Sequence, residues 1–338
     1  MDPHPSRLVI RAPNWLGDAV MALPALGAVR AAMPETRIAI AAPAAVAPVF
    51  EEETSAAPDE IMTIPDRGRE ARILAAGKFD AALLLTNSCR SAWTMRRAGI
   101  PERWGFTGNL RGYLLTRAVA RPRERVHQAA YYAALVNGLG FDVRESAPRM
   151  TVREETVRRA DAVLTKHAVT ASTRIVGFAP GAAFGHAKRW PPSRVAQVIG
   201  RVSMELGAVP VLVGAAGDRD AGREIESALP SGVTVVNLIG RTDLGQLAGV
   251  LARCSAFVSN DSGAMHLAAA VGVPVTAIFG PTDERVTSPL GDHDVIVHQV
   301  FCRPCMLRDC PIDHRCMTRI GADVVFKAVS ARLAAGQQ

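Results

Sequence analysis

The stretch Val258-Ser259-Asn260-Asp261-Ser262-Gly263-Ala264-Met265-His266 decides the fold of this chain. An apolar run typical of a β-strand stops at small polar residues, and the pattern then predicts a helix of small residues over 264–271. A second apolar run covers 273–279 and leads into Phe279-Gly280-Pro281-Thr282-Asp283. Strand, tight loop, helix and strand in this order predict a parallel α/β unit. Its loop brings backbone N–H groups and the positive end of a helix dipole to the carboxyl edge of the sheet, which favours binding of a phosphate or diphosphate.

The remainder of the chain shows the same alternation of short apolar runs and amphipathic helices, which predicts a doubly wound α/β fold. With 338 residues the chain is long enough for two such domains. A polar stretch around residues 145–152 separates the two halves of the pattern. We therefore expect a first domain over residues 1–165, a second over 170–321 and a closing helix over 322–338, with a cleft between the two domains.

The net charge of +7 comes mostly from arginine and favours an anionic partner: a nucleic acid, a phosphorylated glycan or an acidic membrane surface. A GC-rich coding sequence, which enriches arginine and alanine together, would explain the same composition without any such partner. No apolar run reaches the roughly 18–20 residues that span a bilayer. The first seven residues carry an acid and two prolines and do not resemble a signal peptide, so we expect a cytoplasmic protein.

The loop Arg11-Ala12-Pro13-Asn14-Trp15-Leu16-Gly17-Asp18 joins the first predicted strand to the first predicted helix. A carboxylate at this edge of the sheet is a candidate general base facing the cleft. The same position would also suit Asp18 as an N-cap of the helix, and the spacing does not decide between the two.

Two further loops follow strands of the second half. The loop 180–191 contains small residues that allow a ligand close to the backbone, followed by Lys188 and Arg189, which can neutralise a diphosphate; a solvated basic turn is the alternative. The loop 214–218 ends in Asp218, which can accept hydrogen bonds from a ribose or cap the next helix. Neither a G-x-G-x-x-G fingerprint nor a P-loop is present, which argues against dehydrogenases and P-loop NTPases.

Within the opening stretch, Ser262 and Gly263 are candidates to donate backbone N–H groups to a diphosphate. A carboxylate beside a phosphate is repulsive, so Asp261 suits a role in holding the loop or accepting a sugar hydroxyl. His266 lies one turn into the helix and can reach the phosphate as a donor, or it is an ordinary packed histidine.

Four of the six cysteines, with His314 among them, cluster near the end of the chain, at Cys302, Cys305, Cys310 and Cys316. This spacing is compatible with a structural zinc or iron–sulfur site but does not match a standard zinc ribbon; a reduced, cysteine-rich loop is the alternative.

Taken together, four elements resemble the ADP-heptose:lipopolysaccharide heptosyltransferases, a family of inverting glycosyltransferases with the GT-B fold. These elements are Arg-Ala-Pro-Asn-Trp-Leu-Gly-Asp (11–18), Pro-Gly-Ala…Ala-Lys-Arg-Trp-Pro (180–191), Ser-Asn-Asp-Ser-Gly-Ala-Met-His (259–266) and Phe-Gly-Pro-Thr (279–282). The resemblance covers nearly the whole chain. The Asn14-Trp15 pair and the cysteines favour the branch that adds the second heptose of the inner core, heptosyltransferase II, over heptosyltransferase I.

The resemblance implies two Rossmann-like domains and transfer of heptose from ADP-heptose to heptosyl-Kdo2-lipid A, without a metal or other cofactor in catalysis. It implies that Asp18 is the base, in an acceptor-side loop with Asn14, Trp15 and Gly17. The implied donor-binding residues are Lys188, Asp218, Asp261, Ser262, Gly263 and His266. The other branch of the family has a threonine pair where this chain has Ala183 and Phe184, so a hydroxyl contact to the donor is not expected there.

An anionic glycolipid acceptor also accounts for the basic first half of the chain and implies contact with the inner-membrane surface, with no nucleic-acid partner. Some of its arginines should bind acceptor anions, and the candidates are Arg67, Arg69, Arg90, Arg96, Arg97, Arg103 and Arg111. Two other classes of protein are alternatives: a nucleotide-sugar epimerase on the same fold, and a non-catalytic binder of anionic lipid or nucleic acid.

Overall fold

A computed structural model of the chain describes residues 4–66, 68–144 and 147–335. The chain divides into two compact units, Met1–Thr151 and Val152–Gln338. The sequence-based boundary lay later, between residues 165 and 170. The difference arises because the helix at 154–165 packs closely on the helix at 244–252, where a side chain on Gly249 would meet Ala160 and the backbone of Thr156.

Unit 1 contains a six-stranded sheet in the order β4-β2-β1-β5-β6-β7, in which every pairing is parallel. A separate antiparallel pair joins β3 to β8. The strands of unit 1 are β1 (Arg7–Arg11), β2 (Arg37–Pro43), β3 (Glu53–Thr54), β4 (Glu60–Ile64), β5 (Ala81–Leu84), β6 (Glu102–Phe106), β7 (Arg117–Val119) and β8 (Met150–Thr151). Its helices are α1 (Leu16–Met21), α2 (Leu23–Ala32), α3 (Glu70–Ala76), α4 (Cys89–Arg97) and α5 (Gln128–Gly138).

Unit 2 repeats this topology with a parallel sheet in the order β11-β10-β9-β12-β13-β14. Its strands are β9 (Ile175–Ala179), β10 (Val209–Leu212), β11 (Val236–Asn237), β12 (Cys254–Asn260), β13 (Val275–Phe279) and β14 (His293–Val297). Its helices are α6 (Glu154–Thr165), α7 (Pro192–Leu206), α8 (Arg219–Ser227), α9 (Leu244–Ala252), α10 (Gly263–Ala270), α11 (Glu284–Thr287), α12 (Arg315–Thr318) and α13 (Ala322–Ala335).

Both sheets therefore have the doubly wound order of a Rossmann fold. In each, the strand order reverses at the centre, between β1 and β5 and between β9 and β12. Ligands of such sheets bind outside the carboxyl ends of the strands at this reversal. The loops of interest, 12–15 after β1, 180–191 after β9 and 261–262 after β12, lie there.

Local signals explain most element boundaries. Helix α7 starts at Pro192, whose missing N–H costs nothing at a helix start, and ends at Gly207 in the left-handed conformation. Helix α9 begins with a capping box, in which Asp243 and Gln246 each bond the other's backbone N–H. The predicted strand, loop, helix and strand over 256–279 are confirmed as β12, α10 and β13.

The apolar pattern of residues 18–33 predicts one helix, and this prediction is wrong in detail, because the chain forms α1 and α2 with a break at Ala22. Pro24 stands in the first turn of α2. There its missing N–H and its ring are tolerated, whereas inside a continuous helix they would remove a hydrogen bond and clash with the preceding turn. The sequence pattern also missed α4, which is short and rich in arginine.

Apolar side chains cover both sheets. In unit 2, Val198 and Val202 of α7 and Val329 of α13 pack with Phe178 of β9, all fully or almost fully buried. Burial of such a side chain contributes about 1.5–3 kcal/mol. Helix α13, predicted as a separate closing segment, is thus part of the core of unit 2. Among the described residues, no helix is both long and apolar enough to cross a membrane.

Candidate active site

The loop 11–18 of unit 1, predicted to face the acceptor, is held by a buried arginine. Arg11, at the end of β1, forms an ion pair with Glu70 of α3 at 2.5 Å, and both side chains are buried. The same guanidinium donates to the Ala12 carbonyl and to Asn14 Oδ1, the latter at 3.0 Å. The loop that carries Asn14 is therefore fixed from beneath, and the Trp15 side chain stays 59% exposed.

Asp18 is not an N-cap. Helix α1 starts at Leu16 with Trp15 in the capping position, so Asp18 lies in the first helical turn, one residue after Gly17. Both are partly buried. A carboxylate in the first turn lies near the positive end of the helix dipole, where negative charge is stabilising. The Tyr132 hydroxyl of α5 donates to Asp18 Oδ1 at 3.3 Å.

In unit 2, the two donor-side loops are joined by an ion pair. Lys188 Nζ lies 2.5 Å from Asp261 Oδ2, and both side chains are largely buried. The Thr282 hydroxyl donates to the same carboxylate oxygen at 2.7 Å. Lys188 also lies over the Phe184 ring at 4.7 Å, so this aromatic residue supports the lysine.

Asn260 is a site residue that the sequence reasoning missed. Its side chain is 2% exposed, donates to the Pro180 carbonyl at 2.7 Å and accepts from the Trp190 backbone N–H at 3.3 Å. One amide thus connects both ends of the loop 180–191 to the end of β12. No local signal could have revealed this, because the partners are 70 or more residues away.

Asp218 lies beneath the loop 180–191. Its carboxylate accepts from the Ala215 N–H at 3.1 Å and from Arg189 at 3.2 Å. A Cβ on Gly181 would come within 2.2 Å of that carboxylate, so only glycine fits at this position. Both sequence interpretations keep some support, because Asp218 caps its local turn and also lies at the edge where a nucleotide would bind.

The start of α10 is suited to an anion. Ser262 occupies the N-cap in an extended conformation and its side chain caps no N–H group of the helix; its hydroxyl lies 3.0 Å from that of Ser259. The first N–H groups of α10 are therefore not capped by Ser262, and they follow directly after Asp261, the partner of Lys188. His266 is 5% exposed and packed within α10.

The cysteine-rich segment, residues 300–316, supports the loop 180–191 and the loop 280–283 that follows β13. The Arg308 carbonyl accepts from the Ala187 N–H at 2.9 Å, and the Met306 N–H donates to the Pro281 carbonyl at 2.9 Å. Arg303 adds hydrogen bonds to the carbonyls of Gly280 and Thr282.

The four cysteines of this segment are free thiols. Burial, and then the charges of the other three, raise the pKa of Cys316 to about 11, so this thiol keeps its proton at neutral pH. In the part of the chain that the structure describes, no group of three or more His, Cys, Asp or Glu side chains is arranged to hold a metal ion. The geometry therefore gives no support to the zinc or iron–sulfur interpretation.

Two of the arginines predicted as possible acceptor ligands have structural roles instead. Arg111 is fully buried, and Arg103 donates to the carbonyls of Ile100, Pro101 and Leu114. Their guanidinium N–H groups donate hydrogen bonds to loop carbonyls that would otherwise lack a partner. Arg67 lies outside the described residues. The remaining candidates, Arg69, Arg90, Arg96 and Arg97, are exposed.

Comparison with known proteins agrees with this arrangement. Residues 67–315 match the family model described as glycosyltransferase family 9 (heptosyltransferase). The chain is 31% identical to lipooligosaccharide heptosyltransferase 2 of Haemophilus influenzae, over 87% of this chain and 88% of that protein. It is 32% identical to lipopolysaccharide heptosyltransferase 2 of Escherichia coli K12, over 84% and 85% of the two chains.

The structure of E. coli ADP-heptose lps heptosyltransferase II superposes with a TM-score of 0.84, covering 98% of this chain and all of that one at 28% identity. The match confirms the GT-B fold with two Rossmann-like domains. These relatives are transferases and give no support to the epimerase alternative. This chain belongs to glycosyltransferase family 9, the heptosyltransferases.

Proposed function

We propose that this protein transfers L-glycero-D-manno-heptose from ADP-heptose to heptosyl-Kdo2-lipid A, as a heptosyltransferase II. The observation that carries the proposal is the pairing of Lys188 with Asp261 at the start of α10. It places an ammonium group and a helix N-terminus together, which is the arrangement that binds a diphosphate. The named relatives are heptosyltransferases 2, which supports the choice of donor and acceptor.

In this mechanism the donor diphosphate binds Lys188 and the N–H groups at Ser262 and Gly263, with Asp218 and His266 beside the nucleotide and sugar. As the bond from the anomeric carbon to the diphosphate breaks, negative charge grows on the leaving oxygen, and these preorganised donors stabilise it. The positive charge comes from the protein, so we propose that no metal ion takes part in the transfer.

Asp18 is the proposed base. It accepts the proton of the acceptor hydroxyl as that oxygen attacks the anomeric carbon. A single displacement inverts the anomeric configuration and releases ADP. A positioned base contributes about 10²–10⁴-fold to such a step. Asn14, Trp15 and Gly17 form the loop that holds the acceptor beside Asp18, and Arg11 and Glu70 fix that loop.

We also propose that unit 1 contacts the surface of the inner membrane, where the lipid-linked acceptor resides. Four large apolar side chains of unit 1 are exposed: Trp15 and Leu110 in loops at the carboxyl edge of its sheet, Trp93 on α4, and Tyr113 just after the loop 107–111. We call them the apolar edge surface. Trp93 shares the exposed side of α4 with Arg90, Arg96 and Arg97. Aromatic rings and arginines together are typical of surfaces that bind anionic lipid headgroups.

The cysteine-rich segment enters this proposal only as a support for the loops 180–191 and 280–283, through backbone hydrogen bonds and Arg303, with its cysteines reduced. A structural metal at these cysteines would require side chains to rearrange into ligand geometry.

The test is ADP release from ADP-heptose, with and without heptosyl-Kdo2-lipid A, for the wild type, Asp18→Asn and Lys188→Ala. We expect acceptor-dependent release that persists in EDTA, falls at least 100-fold in Asp18→Asn and shows a raised donor KM in Lys188→Ala. Release only with unheptosylated Kdo2-lipid A would assign the other inner-core step. Absence of release with either acceptor would disprove the proposed activity.

A further inference from the structure

The carboxyl edge of the unit 1 sheet carries more loops than the one with Asp18. Strands β1, β5, β6 and β7 are parallel neighbours, so the loops that follow them meet at one edge. The loop after β6 runs over residues 107–111, and the loop after β7 runs over residues 120–127 into α5. Each of these two loops contributes a buried or half-buried arginine.

Arg111 is the inner of the two. It is 0% exposed, its Nε donates to the Phe106 carbonyl at 2.8 Å and its NH1 donates to the Thr86 carbonyl. Its NH2 group is buried without a hydrogen-bond partner, in space that exists because Gly105 has no side chain. Burial, and then the charge of Arg121, lower the pKa of Arg111 to about 10; Tyr131 and Cys89 act weakly in the opposite direction.

Arg121 is the outer of the two and is half-buried. Its guanidinium lies over Gly108, where a Cβ would be 3.0 Å from the Arg121 Cζ. Its Nε and NH2 atoms are both buried and without a partner. These two atoms form one edge of the guanidinium plane, the edge that binds a carboxylate or a phosphate through two parallel hydrogen bonds.

The two guanidinium groups are close enough to repel each other. Among the described residues, neither Arg111 nor Arg121 forms an ion pair with an aspartate or glutamate. Two like charges in a partly desolvated loop cluster are costly unless an anion neutralises them. Buried polar atoms without a partner in a native fold call for such an explanation.

We propose that the Nε–NH2 edge of Arg121 binds an oxyanion of the acceptor, a phosphate or a sugar carboxylate, with Arg111 holding the loop 107–111 behind it. The inference rests on the proposed function, because it assigns the acceptor to unit 1. It specifies how the acceptor is recognised at the sheet edge that carries Asp18.

The test compares Arg121→Gln with Arg123→Gln, a matched control that removes an exposed arginine two residues away. Binding of deacylated heptosyl-Kdo2-lipid A is measured by calorimetry. Transfer of heptose to this acceptor is measured by steady-state kinetics. We expect Arg121→Gln to weaken acceptor binding at least tenfold and to raise the acceptor KM equally, with kcat and donor KM within twofold. Arg121→Lys should recover only part of the lost acceptor binding, because a lysine ammonium group cannot form the two parallel hydrogen bonds of a guanidinium edge.

Two modified acceptors identify the anion. If removing the acceptor phosphates weakens binding to the wild type as much as Arg121→Gln does, and leaves binding to Arg121→Gln unchanged, the anion is a phosphate. If reducing the sugar carboxylates has these two effects instead, the anion is a carboxylate. Equal acceptor binding by the wild type and Arg121→Gln, or equal losses in Arg121→Gln and Arg123→Gln, would overturn the inference. A wild type that binds the acceptor but transfers nothing would instead count against the proposed function.

Discussion

Two neighbouring tyrosines of α5 have different hydrogen-bond partners, and one of these partners is the proposed base. Tyr132 donates to Asp18, whereas the Tyr131 hydroxyl accepts from Asn87 at 3.1 Å. Burial, and then the charge of Asp18, raise the pKa of Tyr132 well above its usual 10.0. The Tyr132 hydroxyl therefore keeps its proton and stays a donor to the carboxylate throughout the working range of pH.

We expect Tyr132→Phe to lower kcat/KM about tenfold, because a hydrogen bond to a charged group contributes about 1.5–3 kcal/mol and this one is long. In an Asp18→Asn background the same change should have almost no effect, since the hydroxyl acts through the carboxylate. The measurement is the steady-state kinetics of four proteins: the wild type, Tyr132→Phe, Asp18→Asn and the variant with both changes. Tyr131→Phe is the matched control and should stay near wild type. Additive losses in the cycle would show that Tyr132 supports the fold and not the base.

At the scale of elements, the cysteine-rich segment controls the shape of the loop 180–191. Gly185 lies against its backbone, and a Cβ there would come within 2.4 Å of the Arg308 carbonyl oxygen. Since backbone cannot move aside as a side chain does, the added methyl group must separate segment and loop.

Gly185→Ala should therefore weaken ADP binding about tenfold or more while leaving acceptor binding unchanged. Isothermal titration with ADP and with the deacylated acceptor distinguishes the two. Gly321→Ala is the control, because a methyl group there meets nothing within 4 Å. Unchanged ADP affinity in Gly185→Ala would mean that the segment does not position the loop.

Much of the fold was predictable at this scale, and the reason is local. The sequence pattern predicts helices over residues 70–76, 192–206 and 244–252, and these are the observed bounds of α3, α7 and α9, because prolines, glycines and apolar periodicity mark helix ends. Strands β7 and β14 were missed, since β7 has three residues and the residues of β14 are only partly buried. Short elements of this kind are stabilised by pairing with a neighbouring strand, which a linear pattern does not reveal.

The candidate site divides in the same way. The loops at the sheet edges could be placed from strand–helix alternation, because parallel strands end at a common edge. The Lys188–Asp261 pair joins residues 73 positions apart, and nothing local predicts it. The arginines were the weakest part of the prediction, since burial separates a structural arginine such as Arg103 from an exposed one such as Arg97, and sequence does not report burial.

For the whole molecule, the distribution of exposed apolar residues predicts how it meets a membrane. The apolar edge surface contains all the exposed large apolar side chains found among the described residues of unit 1. Leu110, at its tip, is 87% exposed. With a net charge of +7 on the chain, binding to a bilayer should combine apolar contact with electrostatic attraction.

We expect the protein to sediment with vesicles that contain phosphatidylglycerol, to do so less at high salt, and to remain in solution with pure phosphatidylcholine. Leu110→Glu should reduce the bound fraction several-fold. Met204→Glu replaces a similarly exposed apolar residue of unit 2 and should bind as wild type does. Equal binding by both variants would exclude the apolar edge surface as the membrane contact.

The ion pair between Lys188 and Asp261 also bears on how fast the enzyme can work. If ADP binds Lys188 as proposed, Asp261 is already in place to neutralise the lysine when ADP departs, so product release leaves no solitary buried ammonium behind. The internal carboxylate competes with every diphosphate that enters, which weakens substrate and product alike. In the proposed mechanism, weaker product binding speeds the departure of ADP and so shortens the interval between successive transfers wherever product release limits turnover.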